Sequence, residues 1–304
     1  MTKKRLFLLL MHCAILCALA LGVLKYSEEI TTFKNSAYSA LQATRNGKQT
    51  VTFSALEGLE PLSHMDDAWY QQCDLIYHAA GGIDGLTYSN SKDALELTLD
   101  NGSRFIEIDF RYTSDGQLVC ARDWADLTAS GEAPTAEEFR DTKIYGKYST
   151  LTAAELLDYM RFFSDLYIII DTKESGAVQV VTDLVALCQE DDALIRRFII
   201  QLYDFESKAQ ILGAYPFADE NFLFTAYKYG TGKPAEILKN CHEQNISVIT
   251  VPHGSWSAET IAHFTDLGFV LYEHTVNRPD EARDALNRGV HGLYTDFLMP
   301  EDLN

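Results

Sequence analysis

The feature that most constrains the fold is a regular alternation of short apolar runs with longer amphipathic runs from residue 75 onward. The short runs are rich in β-branched and aromatic residues, as strands are. They occupy residues 75–79, 104–110, 166–171, 197–203, 221–227, 246–252, 268–274 and 291–296. Strands that alternate with helices predict a parallel sheet joined by helical crossovers. Eight such units close a (β/α)8 TIM barrel, which is the α/β fold we expect, with a doubly wound open sheet as the alternative.

The amphipathic runs carry the signals that begin and end helices. They occupy residues 91–102, 175–190, 233–244, 257–268 and 278–289. Ser91 and Ser257 stand where N-caps are expected, and Gly102, Gly268 and Gly289 stand where helices stop. A run at 117–121, after an Asp-Gly turn, predicts a small hairpin beside the second strand, and 125–150 is expected to be a long loop.

The amino-terminal segment predicts a membrane anchor. Three basic residues precede an apolar run at 6–24, close to the ~20 residues that span a bilayer as a helix. The basic flank places this end in the cytoplasm, so the rest of the chain is expected outside a cell membrane that it crosses once. We expect an anchor at 1–26, a stalk and lead-in at 27–72, and the barrel at 73–304. A cleaved signal with an exit at 18–20 is the alternative.

The charge of the chain argues against a nucleic-acid partner. Lys and Arg number 25 against 44 Asp and Glu, for a net charge of −19. Such a surface repels polyanions unless basic residues are clustered. Basic residues cluster only at 3–5, beside the predicted anchor.

Polar residues gather at the carboxyl ends of the predicted strands, where barrels of this kind place their active sites. Glu107 and Asp109 are two apart in the second strand and therefore point to the same side. Asp171 and Lys173 follow the third strand with the same spacing. Other polar residues at strand ends are His78, His253, His274 and Asp296. Three carboxylates suit one hard divalent cation, Mg²⁺ or Ca²⁺, and the lysine adds positive charge for an anionic substrate such as a phosphate.

These residues resemble the glycerophosphodiester phosphodiesterase family, within the phosphatidylinositol-specific phospholipase C-like phosphodiesterase superfamily. That family shows His-Arg-Gly, Glu-x-Asp, Asp-Gly, His-Asp, Glu-x-Lys, Thr-Val-Asn and Thr-Asp in order. This chain has HAAGG at 78–82, EID at 107–109, SDG at 114–116, ARDW at 121–124, DTK at 171–173, HTVN at 274–277 and GLYTDF at 292–297. The resemblance covers residues 75–300.

The resemblance implies a metal-dependent phosphodiester hydrolase that acts outside the cell on glycerophosphodiesters or related phospholipid headgroups. It implies a cation on Glu107, Asp109 and Asp171. It also implies a catalytic His78 that transfers a proton, a Lys173 that is catalytic and binds substrate, and a His274 that binds substrate.

Three departures from the family pattern bear on the mechanism. Ala79 replaces the arginine after the first histidine, Asp171 replaces a glutamate, and Arg122 replaces the second catalytic histidine. Arginine transfers no proton near neutral pH, but it binds phosphate oxygens bidentately, which makes Arg122 a catalytic and substrate-binding candidate.

The arginine leaves alternative hypotheses open. In the first, the enzyme is active with another acid, such as His274, His253 or a metal-bound water. In the second, it acts only on substrates whose leaving group needs no protonation. Otherwise, the chain is a catalytically impaired barrel that binds a phosphodiester or an envelope polymer.

Overall fold

Eight parallel strands close on themselves in the computed structural model, which describes Phe53 and residues 58–174 and 176–303. The strands of these residues are β1 (Leu75–Tyr77), β2 (Phe105–Tyr112), β3 (Leu118–Cys120), β4 (Lys143–Ile144), β5 (Tyr148–Ser149), β6 (Leu151–Thr152), β7 (Tyr167–Thr172), β8 (Phe198–Leu202), β9 (Phe222–Thr225), β10 (Val248–Pro252), β11 (Val270–His274) and β12 (Gly292–Thr295). The barrel order is β1-β2-β7-β8-β9-β10-β11-β12, and β12 pairs again with β1. The predicted TIM barrel is confirmed, and the open sheet is wrong.

One inward side chain from each barrel strand fills the amino-terminal half of the barrel. This buried cluster consists of Ile76, Phe105, Ile169, Ile199, Leu223, Val248, Tyr272 and Tyr294. Trp69 and Tyr70, from a 3₁₀ turn at Trp69–Gln72, pack against the cluster and cover that end. Because the amino-terminal half is closed by apolar side chains, the polar residues are left at the carboxyl ends of the strands.

Helices lie between the strands and pack on the outside of the barrel. The α-helices of the described residues are α1 (Lys92–Asp100), α2 (Ala136–Asp141), α3 (Ala153–Phe162), α4 (Ala177–Leu187), α5 (Asp192–Ile195), α6 (Ser207–Ala214), α7 (Ala226–Tyr229), α8 (Pro234–Glu243), α9 (Ala258–Thr265) and α10 (Pro279–Asn287). Ser91 and Ser257 cap α1 and α9 by accepting hydrogen bonds from the N–H groups of Ala94 and Thr260. Gly102 follows the C-cap of α1 with a φ of +86°, which a residue with a Cβ rarely adopts. The predicted caps are therefore confirmed.

The segment between β2 and β7 differs in part from the expectation. β3 pairs antiparallel with β2, as the hairpin pattern predicts, and β6 pairs with β3. The expected long loop at 125–150 is wrong, because it contains α2 and the hairpin β4–β5. A capping box of Thr135 and Glu138 begins α2. Elements of two to six residues are too short to show a hydrophobic period, so periodicity did not indicate them.

The predicted anchor at 6–24 lies outside the described residues, as does most of the predicted stalk. The described residues all belong to one unit, 51–304. None of the helices that the structure describes is long and apolar enough to cross a membrane.

Candidate functional site

Three carboxylates converge inside the barrel, two from the middle of β2 and one from the carboxyl end of β7. Glu107 and Asp109 point into the barrel. The residues that alternate with them, Ile106 and Ile108, point outward and pack against the helices. Asp109 and Asp171 are direct neighbours in the parallel register of β2 and β7. One oxygen from each of the three carboxylates lies within 4.8 Å of the others. The structure thus brings together the three residues that the sequence predicts as metal ligands, all buried.

The loop between β1 and α1 holds two of these carboxylates in place. The Ala79 N–H donates a hydrogen bond of 2.6 Å to Glu107 Oε2. The Asn90 side chain donates from Nδ2 to Asp109 Oδ2 at 2.8 Å and accepts from the Asp109 N–H at 2.9 Å. The loop therefore fixes one oxygen of Glu107 and one of Asp109.

Lys173 lies between the two aspartates. Its Nζ is 2.6 Å from Asp109 Oδ1, an ion pair without the angles of a hydrogen bond, and it donates to Asp171 Oδ2. Tyr203 also donates to Asp171, at 2.8 Å to Oδ1. Burial disfavours the ammonium, but Asp109 and Asp171 outweigh it and raise the pKa of Lys173. The lysine is therefore a permanent positive charge at this site.

The donor set fits a hard divalent cation. Burial, followed by the charges of Asp109 and Asp171, raises the pKa of Glu107 to about 8, although His78 and Lys173 oppose the shift. Asp109 Oδ1 is buried and accepts no hydrogen bond from the described residues. Crowded carboxylate oxygens are the ligands that Mg²⁺ and Ca²⁺ prefer. Glu107, Asp109 and Asp171 would hold such an ion.

His78 stands beside the carboxylates with its ring orientation fixed. Its Nδ1 lies 3.0 Å from Asp296 Oδ1, and Asn277 donates to Asp296 Oδ2 at 2.7 Å. Its Nε2 faces Glu107 Oε2 at 4.0 Å. Burial opposes the charged imidazole, but Glu107 and Asp296 outweigh it and raise the pKa of His78. A histidine held in this way can exchange a proton through Nε2.

Arg122 reaches the mouth of the site without an ion pair to any described residue. Its guanidinium lies over the ring of Tyr88, with Cζ 4.0 Å from the ring centroid. Burial opposes its charge, but Asp109 and other nearby groups raise the pKa of Arg122. The N–H groups of the guanidinium remain available for phosphate oxygens.

His274 and His253 lie in different surroundings. Burial, and then the charge of His78, lowers the pKa of His274 to about 3, so its imidazole is neutral at physiological pH. Its buried Nε2 has no hydrogen-bond partner among the described residues. His253 instead pairs with Glu273 at 2.7 Å. Glu273 points out of the barrel, since side chains alternate along a strand and Tyr272 points inward. A neutral His274 can bind substrate, but it is a poor general acid.

Several residues of the site escaped the sequence analysis. Asn90 and Tyr88 lie in a loop without any periodic signal. Tyr203 follows Gln201 with the spacing of two that marks one face of a strand, so the alternation of β8 pointed to it. Asn277 lies within the HTVN motif, but its contact with Asp296 depends on the closing of the barrel.

Comparison with known families gives a match over most of the barrel. The model of the "Glycerophosphoryl diester phosphodiesterase family" matches residues 81–299. No curated protein sequence gives a significant match.

Solved structures share the fold at low sequence identity. A phosphodiesterase from Oleispira antarctica, in complex with the product sn-glycerol-3-phosphate, superposes with a TM-score of 0.62 at 14% identity and covers 77% of this chain and 97% of its own. A glycerophosphodiester phosphodiesterase from Parabacteroides distasonis gives a TM-score of 0.60 at 16% identity, over 75% of this chain and 94% of its own. These similarities show the fold of the barrel.

Proposed function

The chain belongs to the glycerophosphoryl diester phosphodiesterase family of phosphoric diester hydrolases, and on that premise we propose that it hydrolyses glycerophosphodiesters or related phospholipid headgroups. The observation that carries the proposal is the convergence of Glu107, Asp109 and Asp171 beside Lys173 and His78. The complex of the Oleispira antarctica enzyme with sn-glycerol-3-phosphate supports a small phosphodiester as substrate.

The positive groups of the site bind the phosphate. A divalent cation, when bound to the three carboxylates, neutralises phosphate charge and polarises the bond that breaks. Lys173 adds a fixed positive charge, and Arg122 offers two N–H groups to phosphate oxygens at the mouth. We place His274 beside them as a neutral hydrogen-bonding group for the substrate.

His78 moves a proton at its Nε2 atom. Asp296, itself held by Asn277, fixes Nδ1 and leaves Nε2 toward the carboxylates. In its neutral form, the imidazole takes a proton from the attacking water, a step that typically contributes about 10²–10⁴-fold to a rate.

A turnover assay tests the proposed function. The full-length chain, in detergent, is given a panel of glycerophosphodiesters with Mg²⁺, with Ca²⁺ or with EDTA. We expect turnover that requires the cation and that Glu107→Gln lowers by at least about 10²-fold, while the exposed Glu137→Gln leaves it unchanged. A parent that binds these diesters with the cation and never cleaves them is the catalytically impaired barrel, the outcome that Arg122 in place of a histidine favours.

The place of action belongs to the same proposal. An apolar segment at 6–24 behind a basic flank supports a single-pass anchor in the cell membrane with the barrel outside. A barrel outside the cytoplasm has access to diesters released from phospholipids.

A further inference from the structure

Tyr88 occupies a strained position at the mouth of the site. It lies in the loop between β1 and α1 with a φ of +61°. A bulky residue rarely adopts this left-handed conformation, which costs about 1–3 kcal/mol and concentrates at functional sites. The strain therefore needs a compensating contact or a function.

The ring of Tyr88 is fixed between two residues of the site. It meets the ring of His78 edge-on, with 4.6 Å between the centroids. The guanidinium of Arg122 covers its face at 4.0 Å. These contacts place the phenol beside the histidine that is present and the arginine that replaces the missing one.

The hydroxyl of Tyr88 is free to meet a substrate. It forms no hydrogen bond with the part of the chain that the structure describes, whereas the hydroxyls of Tyr145 and Tyr148, near the same mouth, bond to Thr87 and Asp84. Tyr88 is 37% exposed. A phenol without a partner, at an open mouth, is a proton donor that still lacks an acceptor.

We propose that the Tyr88 hydroxyl protonates the leaving alkoxide, the step that a second histidine would perform at position 122. This inference rests on the proposed hydrolase function. The water oxygen bonds to phosphorus, its proton goes to His78, and the bond from phosphorus to the leaving oxygen breaks. The leaving oxygen takes the proton of Tyr88, and the phenolate recovers a proton from solvent while His78 releases one. The products are a phosphomonoester and an alcohol, and the protons balance.

The surroundings suit an acid of this kind. The charged and titratable groups that face Tyr88 are Arg122, His78, Asp296, Asp109, Glu107 and Tyr145. Burial and the carboxylates raise the pKa of Tyr88, while Arg122 lowers it. The phenol therefore carries its proton at neutral pH, and the guanidinium stabilises the phenolate that forms when the proton leaves.

The test compares two leaving groups in the full-length chain with saturating Mg²⁺. Glycerophosphocholine releases an alkoxide that needs a proton, and p-nitrophenyl phosphocholine releases a nitrophenolate that does not. We expect Tyr88→Phe, which keeps both ring contacts, to lower kcat on the first by at least about 10²-fold and on the second by less than about threefold. The control Tyr215→Phe removes a tyrosine hydroxyl that bonds to Asp192, outside the site, and should change neither.

The outcomes separate this inference from the proposed function. Equal losses on both substrates, or no loss on glycerophosphocholine, overturn the assignment of Tyr88 and leave a hydrolase. A parent that cleaves neither substrate overturns both, because no reaction then needs an acid. Turnover of the nitrophenyl ester by Tyr88→Phe also shows that the variant is folded.

Discussion

Glu107 holds a proton at neutral pH when no cation is bound, because its carboxyl is buried beside Asp109. Its pKa is raised from 4.5 to about 8, so the folded barrel binds more protons than the unfolded chain between these values. The free energy of unfolding therefore falls as the pH rises through this window. In EDTA, we expect the midpoint temperature of thermal unfolding to decrease as the pH is raised from about 5 to about 8. Glu107→Gln should make this decrease smaller.

Two comparisons check that result. His78 also has a raised pKa, so a smaller slope of the same sign should remain in Glu107→Gln. Mg²⁺ or Ca²⁺ should raise the midpoint of the parent most at pH 8, where it competes least with protons. If the midpoint temperature of the parent in EDTA increased as the pH was raised from 5 to 8, the raised pKa of Glu107 would be contradicted.

Position 122 offers a second test of how the leaving group is protonated. In a Tyr88→Phe background, Arg122→His supplies an imidazole that titrates near neutral pH. We expect turnover of glycerophosphocholine to recover by at least about tenfold, on the low side of what a general acid contributes. The matched Arg122→Asn change offers a hydrogen-bond donor that does not titrate and should restore nothing. Equal recovery by asparagine and histidine would show that removal of the arginine, and not a new proton donor, restores turnover.

Residues of the candidate site could be predicted from the sequence where they belong to a local spacing pattern. The Glu-x-Asp and Asp-x-Lys spacings identified Glu107, Asp109, Asp171 and Lys173, since a strand period of two puts both members of each pair on one face. Tyr88 and Asn90 had no such pattern. Their contacts with Arg122 and Asp109 join segments far apart in the chain, which only the closed barrel brings together.

The β1–α1 loop is the element that joins the mouth of the site to the three carboxylates. Asn90 anchors it through two hydrogen bonds to Asp109 and has a φ of +47°, which asparagine tolerates better than most residues. We expect Asn90→Ala to weaken Mg²⁺ binding by about 10–100-fold, as the loss of a partner to a metal ligand does. It should also lower the free energy of unfolding by about 1–3 kcal/mol, since the Asp109 N–H is left buried without an acceptor.

The control for this loop lies at the other end of the same helix. Asn101 is the exposed C-cap of α1, and Asn101→Ala removes an asparagine without touching the site. Calorimetric titration with Mg²⁺ and urea unfolding should give parent values for it. If Asn90→Ala binds Mg²⁺ as the parent does, the loop does not position Asp109.

Elements with a clear period were predicted well, and short ones were not. All eight barrel strands formed within a few residues of the expected ranges, because each presents a run of apolar or β-branched residues. Helix α2 and the β4–β5 hairpin depend instead on a capping box and on hydrogen bonds from Tyr145 and Tyr148 to the β1–α1 loop. The capping box is local and the two hydrogen bonds are tertiary, and neither leaves a trace in hydrophobic periodicity.

At the scale of the whole molecule, the number and order of the strands determined the fold. Eight parallel strands with helical crossovers have one common closed arrangement, so the count sufficed to predict the barrel. The structure adds what the count cannot give. Trp69 and Tyr70 cover the amino-terminal end, which leaves the carboxyl end as the entrance for substrate.

The predicted anchor decides where this entrance meets its substrate. A run of apolar residues at 6–24 favours a helix that stays in the bilayer, whereas a cleaved signal has a shorter apolar core of about 7–15 residues. We expect the full-length chain to remain in the membrane fraction after a carbonate wash, with the barrel open to protease added outside. Because an arginine at the centre of a spanning helix costs about 2.5–3.5 kcal/mol, Leu16→Arg combined with Leu19→Arg should keep the barrel in the cytoplasm. A soluble mature protein that begins near Leu21 would show that the segment is removed, and the barrel would then act free of the membrane.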